Sequence, residues 1–335
     1  MAAARVSIAM TTYNGARYLA EQLDSFAAQT RLPDELVVGD DGSTDATSAI
    51  LADFAARAPF PVRVTVNAAQ LGPSRNFAEA ILRCQGDVIL LSDQDDRWEP
   101  TKLAAMADHL AAHPTCWLAS HDAALMDRDG RPSGLTMGGQ IAAAGGDPAR
   151  DLVAGCCMAI DARLARLYGP PPSTRAHDAW LAALADLLEL RGWIEQPLIA
   201  YRRHGANVSA SYMSRLDRSS RLRRALDRLA KARAEPVTQA LDHSIADRAA
   251  MAAAIERHRA VLLGVVPAAT LSRALHELAC GLARDRQRRA IHEGPRSARF
   301  GRLSGAVGRG VYRGQGGMLS LLRDLHGCVR AIDRA

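Results

Sequence analysis

The sequence predicts an α/β protein with a mostly parallel, doubly wound sheet, followed by a mainly helical C-terminal extension. Four short apolar runs typical of buried strands alternate with three segments whose apolar residues recur at three- and four-residue spacing. Polar or acidic loops follow three of these runs, and parallel sheets bind ligands beyond the carboxyl ends of their strands. The C-terminal part is basic and carries two apolar stripes at helical spacing.

The first half of the chain predicts four strands joined by helices. Strands are expected at residues 6–10, 36–39, 62–66 and 87–92, with helices at 16–29, 43–54 and 72–84 between them. Either Ser43 or Thr44 is expected to cap the second helix, since both side chains accept hydrogen bonds from free helix amides. This alternation of strand and helix is typical of right-handed crossovers in a parallel sheet.

The next segment is less regular. A helix is expected from about residue 100 to 113, strands at 116–119, 123–126 and 153–160, and a helix at 176–188. The segment 134–146 is rich in Gly and Ala and predicts a flexible loop. An apolar run at 194–200 leads into the polar segment 201–207.

Composition predicts a folded, cytoplasmic protein. Of 335 residues, 48% are hydrophobic and 23% charged, as in ordinary globular chains. The longest apolar candidate, residues 261–271, is too short for a membrane helix, and residues 1–6 lack a signal-peptide core. The six cysteines lack Cys-x-x-Cys spacing and are expected to be reduced, with the neighbouring Cys156 and Cys157 either packing in the core or lining a site.

Charge divides the chain into two regions. Residues 213–335 hold 24 Lys and Arg against 11 Asp and Glu, whereas residues 1–212 hold 18 against 25. We therefore expect a catalytic domain at 1–212 and a basic, mainly helical region at 213–335. The acidic region suits cations, and the basic region suits an anionic membrane surface, a nucleic acid or an acidic partner.

Residues 93–96 place three carboxylates directly after the fourth predicted strand. Asp93, Asp95 and Asp96 repel one another unless a cation or a set of hydrogen-bond donors lies between them. Oxygen ligands suit Mg²⁺ or Mn²⁺, so a divalent cation is one interpretation. The alternative is a solvated acidic turn before the next helix.

Several motifs occur in a characteristic order. They are Thr12-Tyr13-Asn14, Gln29-Thr30, Asp40-Asp41-Gly42-Ser43-Thr44-Asp45, Asp93-Gln94-Asp95-Asp96 with Trp98 and Pro100, His177-Asp178, and Tyr201-Arg202-Arg203-His204. Over roughly residues 4–212 they resemble the family 2 inverting glycosyltransferases with the GT-A fold. The form at 92–96 is similar to that of bacterial rhamnosyltransferase-like members. The resemblance does not extend to the C-terminal region.

The resemblance implies a nucleotide site in the first two loops. Tyr13 offers a flat face for a pyrimidine base, while Thr11 and Asn14 are expected to meet the base or ribose. Asp41 is expected to accept a hydrogen bond from the base, with Asp40 in a structural role. Arg75, at a helix start, is a candidate for the base or a phosphate, or else a solvated surface residue.

The resemblance also implies where the metal and the reaction lie. Asp93 is expected to hold the ribose hydroxyls, and Asp95 to coordinate Mg²⁺ or Mn²⁺ that bridges the donor's phosphates. His204 is expected either to bind the metal or a phosphate or to be an ordinary loop histidine. Asp178 matches the general base that removes the acceptor proton, a role compatible with capping its helix.

The resulting prediction is an inverting glycosyltransferase of the hexosyltransferase class. The first donor hypothesis is L-rhamnose from dTDP-rhamnose, otherwise a UDP-sugar, and the acceptor is a glycan or lipid-linked glycan of a surface polysaccharide. The basic region is expected to bind the inner membrane face, through a stripe at Leu222, Ala225, Leu226 and Leu229 and a second at Met318, Leu321, Leu322, Leu325 and Val329. A Gly-rich run at 305–317 is expected to form a hinge.

Three alternatives follow from the same residues. One is a nucleotidyltransferase on a related fold, which needs a basic, Gly-rich loop after the first strand that residues 11–15 do not provide. Another is a nucleotide-sugar-binding protein without turnover, against which the presence of both Asp95 and Asp178 argues. Nucleic-acid binding is not expected, because the basic region lacks zinc-binding, base-stacking and helix-turn-helix signatures.

Overall fold

The computed structural model describes residues 4–168, 176–204, 236–293, 295–313 and 317–330. The chain divides into two compact units, Met1–Arg218 and Ser219–Ala335. The first unit contains a mixed sheet with helices, and the second is helical in its described residues. The charge boundary that we expect at 212/213 falls between 204 and 236, outside the described residues.

The described strands all belong to the first unit. Their bounds are β1 Val6–Thr12, β2 Glu35–Asp40, β3 Val62–Val66, β4 Val88–Ser92, β5 Arg97–Trp98, β6 Leu118–Met126, β7 Pro132–Thr136, β8 Met158–Asp161 and β9 Arg191–Arg202. They form one sheet in the order β3-β2-β1-β4-β8-β6-β9-β5. Strand β7 lies off this path and pairs with the C-terminal end of β6. Strands β3, β2, β1 and β4 are parallel, which confirms the predicted parallel half.

The helices of the first unit cover the sheet. Their bounds are α1 Ala16–Ala27, α2 Thr47–Arg57, α3 Pro73–Arg83, α4 Lys102–Ala112, α5 Met137–Ala143, α6 Pro148–Asp151, α7 Ala162–Tyr168 and α8 His177–Leu187. Helix α1 buries Leu19, Leu23 and Phe26, which share one face because helical residues three and four apart are neighbours. These side chains join the apolar residues of β1, β2 and β4 in one core.

Strand β6 corrects the predicted break between 116–119 and 123–126. The polar residues Ser120, His121 and Asp122 lie inside a single strand, and all three are buried. We expected a break because polar residues rarely occupy a strand covered on both faces. Asp122 accepts the amide of Gly138 at 2.7 Å, and His121 Nδ1 lies 2.6 Å from the Asp122 carbonyl oxygen, whereas Ser120 Oγ and His121 Nε2 are buried with no hydrogen-bond partner among the described residues.

Two further predictions in this region are wrong. Residues 134–143 of the predicted loop 134–146 instead form the end of β7 and helix α5, because Thr136 caps the helix and Met137 and Ile141 bury their side chains. The strand predicted at 153–160 begins only at Met158, since Gly155–Cys157 forms a 3₁₀ turn.

The start of α2 also differs from the prediction. Neither Ser43 nor Thr44 caps this helix, whose N-cap position is Ala46. Instead, Asp45 accepts the backbone amide and the hydroxyl of Thr47 at 2.9 and 2.5 Å. Ser43 and Thr44 instead form hydrogen bonds with Asn14, in the loop after β1.

The second unit is built from helices α9 Val237–Arg257, α10 Arg259–Leu263, α11 Ala268–Ile291, α12 Arg299–Gly308 and α13 Gly317–Arg330, as well as a 3₁₀ turn at Arg296–Ala298. Helices α9 and α11 pack along each other. A small core includes Ile291, Leu303, Ala306 and Cys328. This helical architecture confirms the prediction for the extension. Among the described helices, none combines the length and the apolarity needed to cross a membrane.

The two predicted apolar stripes have different outcomes. The stripe at Leu222–Leu229 lies outside the described residues. On α13, Met318, Leu322 and Leu325 are exposed, whereas Leu321 packs against the small core. The Gly-rich run is not a simple hinge in its described part, because its first residues, from Gly305, continue helix α12 to Gly308.

Candidate active site

The carboxyl ends of three parallel strands place the candidate site at one edge of the sheet. Thr12 at the end of β1 pairs with Asp40 at the end of β2, and Met10 pairs with Ser92 at the end of β4. The loops that follow these strands therefore leave the sheet on the same side. The predicted nucleotide residues and the acidic loop share this edge.

Asn14 joins the first two loops. Its backbone φ is +48°, a left-handed conformation that Asn tolerates better than most residues. Its side-chain oxygen accepts the Thr44 amide at 2.8 Å, and its own amide donates to the Ser43 hydroxyl at 2.9 Å. Asn14 therefore holds the two loops together, whatever it contributes to a ligand.

The two aspartates after β2 make different contacts. Asp40 is fully buried and accepts the hydroxyls of Thr12 and Ser43 at 2.7 and 2.5 Å. These bonds inside the protein agree with the structural role that we expected for Asp40.

Asp41 is 4% exposed and anchors the loop before α3. One oxygen accepts Asn67 Nδ2 and the Leu71 amide at 2.9 and 2.7 Å, and the other accepts the Gly72 amide at 2.8 Å. A carboxylate offers about four lone-pair positions, so three protein donors leave room for about one ligand donor. The predicted hydrogen bond from a base is therefore compatible with these contacts.

The remaining predicted nucleotide residues differ in exposure. The Tyr13 side chain is 45% exposed beside the edge of the sheet, as a stacking platform requires. Thr11 is partly buried within β1 and pairs with Gly39. Arg75 is exposed in the first turn of α3.

Gln94 is a site residue that sequence reasoning missed. Its Oε1 accepts the Tyr13 amide at 2.9 Å and its Nε2 donates to the Tyr13 carbonyl at 3.1 Å, as a neighbouring strand would. A Cβ at Gly15 would lie 2.2 Å from Gln94 Oε1, so the contact requires glycine there. The sequence signal that could have indicated this contact is an amide side chain between Asp93 and Asp95, together with a glycine at position 15.

The acidic loop is electrostatically strained. Burial, reinforced by the charges of Asp95 and Asp178, raises the pKa of Asp93 to about 7. Burial also raises the pKa of Asp96 well above its usual value, again reinforced by Asp95 and Asp93. Asp96 Oδ1 accepts the Arg202 amide at 3.0 Å, while Oδ2 is buried and has no hydrogen-bond partner among the described residues.

Asp95 and His204 lie in direct contact, with Asp95 Oδ2 and His204 Nε2 separated by 2.7 Å. Burial raises the pKa of Asp95, although the hydrogen bond from His204 opposes this effect. The His204 ring stacks on Tyr18. The predicted pair of ligands is thus adjacent, although 109 residues apart in sequence.

Arg202 fixes the segment that carries His204. Its guanidinium is buried, donates to the Asp95 carbonyl at 2.9 Å, and pairs with Glu21 at 2.5 Å. It also lies over the Tyr18 ring. Its partners are remote in sequence, so the motif alone did not reveal this role.

Asp178 and His177 begin α8. Asp178 is not the N-cap, which is Ala176, so the capping interpretation is wrong; Asp178 Oδ1 accepts the next amide, of Ala179, at 2.6 Å. Its charge contributes to the raised pKa of Asp93, so the two carboxylates lie near each other. His177 is buried and stacks on Phe77 with ring centroids 3.9 Å apart, in agreement with a supporting role.

Behind the acidic loop lies a buried cation that sequence reasoning also missed. Lys102 is fully buried, donates to the Cys156 carbonyl at 2.6 Å, and lies 3.8 Å from the centre of the Trp98 ring. Burial lowers its pKa to about 8. A lysine on an apparently amphipathic helix gives no sequence signal of such burial.

The donor atoms at this edge fit a divalent cation. Carboxylates are the ligands that Mg²⁺ and Mn²⁺ prefer, and one carboxylate oxygen is left buried without a partner. Asp93, Asp96 and Cys156 each offer a ligand atom, and these atoms lie within 4.8 Å of one another. The edge is thus a possible aspartate-rich metal site.

Comparison with known sequences finds similarity in the N-terminal region. A family model described as "Glycosyl transferase family 2" matches residues 7–162. An uncharacterized protein of Mycobacterium tuberculosis is 35% identical over 127 residues, 37% of each chain. Abequosyltransferase RfbV of Salmonella typhimurium is 30% identical over 34% of each chain. The putative teichuronic acid biosynthesis glycosyltransferase TuaG of Bacillus subtilis is 27% identical over 38% of this chain and 50% of its own.

These matches cover about a third to a half of the relatives' own lengths. Comparison of structures extends further. TarS residues 1–349 from S. aureus, in complex with UDP-GlcNAc, gives a TM-score of 0.54 at 15% identity, covering 86% of this chain and 84% of TarS. At this identity the likeness shows the fold alone, which is the GT-A fold predicted from the motifs.

Proposed function

We propose that this chain, whose N-terminal unit is a family 2 glycosyltransferase domain with the GT-A fold, transfers a sugar from a nucleoside diphosphate to an acceptor hydroxyl with inversion. One observation carries the proposal. Asp93, Asp95, Asp96 and Asp178 come together at the sheet edge that also holds Tyr13, and burial and mutual repulsion raise the pKa of Asp93 to about 7. Such perturbed groups in one place are typical of functional sites.

The nucleotide is held by the first two loops in this proposal. The exposed Tyr13 ring stacks on the base, and Asp41 accepts a base N–H at its remaining lone pair. Thr11 and Asn14 contact the base or ribose, and Asp93 accepts the ribose hydroxyls. Arg75 provides a fixed positive charge for the base or a phosphate.

The diphosphate is held at the acidic loop. Asp95 and His204 are positioned to bind Mg²⁺ or Mn²⁺, and Arg202 fixes both of their backbone segments. When bound, the cation neutralises charge on the departing nucleoside diphosphate. The chain's own contribution is to keep the two ligands 2.7 Å apart and mostly shielded from water.

Asp178 acts as the general base. Inversion in a single displacement requires a base on the face of the sugar opposite the leaving group. The Ala179 amide orients the Asp178 carboxylate, which then accepts the proton of the acceptor hydroxyl as that oxygen attacks the anomeric carbon.

The donor, acceptor and location are finer proposals. L-rhamnose from dTDP-rhamnose is the first donor, with a UDP-sugar as the alternative, and the acceptor is a lipid-linked surface glycan. The polysaccharide assignment is supported by the teichuronic acid relative. Attachment to an anionic membrane is supported by the exposed Met318, Leu322 and Leu325 on the basic second unit.

A donor screen tests the proposed function. Full-length protein is incubated with UDP-, dTDP- and GDP-sugars, with Mg²⁺, Mn²⁺ or chelator, and release of nucleoside diphosphate is measured. We expect release from at least one donor that stops with chelator. Binding of a nucleotide sugar without release or transfer to any acceptor would favour a binding protein, and consumption of a nucleoside triphosphate would favour a nucleotidyltransferase.

A further inference from the structure

Strand β3 lies at one edge of the sheet in the first unit. It pairs with β2 and with no other described strand, and its Val64 and Val66 side chains are 40% and 59% exposed. A strand at an edge presents unpaired backbone N–H and C=O groups to which another strand can bind. The outer side of β3 is therefore a candidate interaction surface.

The register with β2 shows which backbone groups of β3 point outward. The pairs that decide this are Val62 with Leu36, Val64 with Val38, and Val66 with Asp40. In a parallel ladder, one member of each pair bonds to both residues that flank the other member, whose own N–H and C=O groups point away. The Leu36 amide donates to the Pro61 carbonyl at 2.9 Å, so the backbone groups of Val62 point away from β2. Because this pattern has a period of two residues, those of Val64 and Val66 point away as well.

These outward groups have no partner within the described ranges of the chain. No hydrogen bond joins the backbone of Val62, Val64 or Val66 to another described residue. Two side chains near this edge are already paired, since Arg63 contacts Glu35 and donates to the Arg83 carbonyl at 2.7 Å. The charge of Arg63 is thus matched inside the chain and does not repel a strand that approaches β3.

The other outer strands of the sheet have features that prevent pairing, and β3 lacks them. Strand β5 has only two residues. Strand β7 begins at Pro132, contains Gly134 and pairs with β6 in an irregular register. Short strands, prolines and bulges protect sheet edges from further pairing. Strand β3 has five residues, a regular register with β2, and neither proline nor glycine.

We propose that two copies of this chain form a dimer by antiparallel pairing of their β3 strands, with Val64 at the twofold axis. Two identical edges that meet around an axis perpendicular to the sheet run antiparallel. In this register, Val64 faces Val64 of the partner subunit, and Val62 faces the partner's Val66. Each of these pairs exchanges both N–H···O bonds, so about six hydrogen bonds satisfy the outward groups of all the valines.

The side chains match in the same register. The three valines of each copy lie on one face of β3, so pairing forms a continuous row of β-branched residues that covers Val64 and Val66. Arg63 faces the partner's Thr65, so no two like charges are directly opposed. A second copy therefore fits both the backbone and the charges of this edge. The dimer does not depend on sugar transfer.

Sedimentation velocity of the full-length protein at increasing concentration tests the dimer. We expect a reversible equilibrium with a dissociation constant of about 10–100 µM, because a junction of two five-residue strands is smaller than a standard interface. Val64→Lys places two ammonium groups opposite each other and should weaken the dimer by at least about tenfold. Val64→Thr, the matched control that keeps the branched Cβ, should stay within about threefold of the wild type.

A mixture of two variants tests the register. Val64→Glu alone should weaken the dimer as Val64→Lys does, because like charges again meet at the twofold axis. An equimolar mixture of Val64→Lys and Val64→Glu should form a heterodimer, because opposite charges then face each other. A mixture that remains monomeric would exclude pairing centred on Val64.

Two further results would overturn the proposal. A wild-type protein that is monomeric at every concentration would leave the edge to a different partner, and a dimer that persists in Val64→Lys would form through another surface. If the variants do not fold, as judged by circular dichroism, hydrogen–deuterium exchange of the wild type decides the question. The amides of Val62, Val64 and Val66 should then exchange more slowly at high than at low protein concentration, and equal rates would contradict the dimer.

Discussion

The acidic loop of the first unit and the Asp324 network of the second unit both bury carboxylates, but the pKa shifts of these carboxylates are opposite in direction. In the first unit, Asp93 and Asp96 are crowded by other acids, and burial raises their pKa values. In the second unit, Asp324 is fully buried too, yet its pKa is lowered. Burial alone would raise it, but hydrogen bonds from His292, Arg288 and Tyr312 outweigh that effect.

The partners explain the difference. Arg288 contacts both oxygens of Asp324, at 2.7 and 3.1 Å, and the Tyr312 hydroxyl donates at 2.6 Å. Asp285 is paired in the same way with Arg248 and Ser244. The protein thus supplies counter-charges to Asp324 and Asp285 in the second unit, whereas Asp96 Oδ2 in the first unit has no partner among the described residues. A buried carboxylate oxygen without a partner, such as Asp96 Oδ2, is therefore a candidate for ligand binding.

The largest expected effect is on catalysis at the unsatisfied site. Asp178→Asn keeps the shape of the side chain but removes the base, so we expect the rate of sugar transfer to fall by about 10³-fold. Nucleotide affinity and melting temperature should change little. Steady-state kinetics, calorimetry with the nucleotide and thermal melting measure the three quantities.

Asp186→Asn is a matched control for this prediction. Asp186 lies on the same helix and contacts Arg191, and its side chain is 47% exposed. Transfer activity should stay within about twofold of the wild type. Retained transfer in Asp178→Asn would contradict the assignment of the base.

The second effect is on stability at the satisfied site. Arg288→Ala leaves Asp324 as a buried, poorly paired charge, which should destabilise the second unit by about 3–5 kcal/mol. Hydrogen–deuterium exchange should accelerate in α11 and α13. Fluorescence of the four tryptophans should not change, because Trp98, Trp117, Trp180 and Trp193 all lie in the first unit.

Arg259→Ala provides the control for the ion pair. Arg259 pairs with Glu256 on the surface, with both side chains about half exposed, so its loss should cost at most about 1 kcal/mol. Equal exchange rates in the two variants would show that the buried network does not hold the second unit together.

A third, smaller effect is expected where the acidic loop meets the nucleotide loop. Gln94→Ala removes both hydrogen bonds to the Tyr13 backbone, which are worth about 0.5–1.5 kcal/mol each. We expect KM for the donor to rise about tenfold, with a much smaller change in kcat. Gln94→Glu retains the acceptor and loses the hydrogen-bond donor, so its KM should lie between those of the wild type and Gln94→Ala. An unchanged KM in both variants would show that Gln94 does not position the nucleotide loop.

The smallest effect is a pH dependence of the second unit. Because the pKa of Asp324 is lowered on folding, its contribution to stability is complete above the unfolded value of about 3.9 and is lost as pH falls toward the folded value. Hydrogen exchange of α11 and α13 between pH 5 and 3 should therefore show loss of protection. In Asp324→Asn this loss of protection with falling pH should be smaller. An equal loss in the variant and the wild type would show that Asp324 does not cause the pH dependence.

Local sequence patterns were sufficient for the first half of the fold. The alternation of apolar strands and amphipathic helices predicted the parallel half of the sheet. The apolar residues of these strands are buried by the helices that connect them, so the local pattern contains most of the information. Failures occurred where tertiary contacts override composition. Ser120, His121 and Asp122 continue β6 because their backbones pair with β9, and Met137 and Ile141 stabilise a helix in a Gly- and Ala-rich segment.

The same distinction applies to the candidate site. The acidic residues and the loop order were visible in sequence, and they occupy one edge of the sheet. The contacts that position them were not visible. Gln94 binds residue 13, Arg202 binds residues 21 and 95, and Lys102 binds residue 156. The partners of these three residues are distant in sequence, so the local sequence does not indicate the contacts.

One crystallographic measurement tests the central claim most directly. Crystals of the full-length protein with Mn²⁺ and UDP or dTDP should show the base on Tyr13 and the diphosphate at the acidic loop. An anomalous manganese peak should lie between the diphosphate and Asp95. A nucleotide bound away from the carboxyl ends of β1, β2 and β4, or a diphosphate with no cation between it and the acidic loop, would contradict the account.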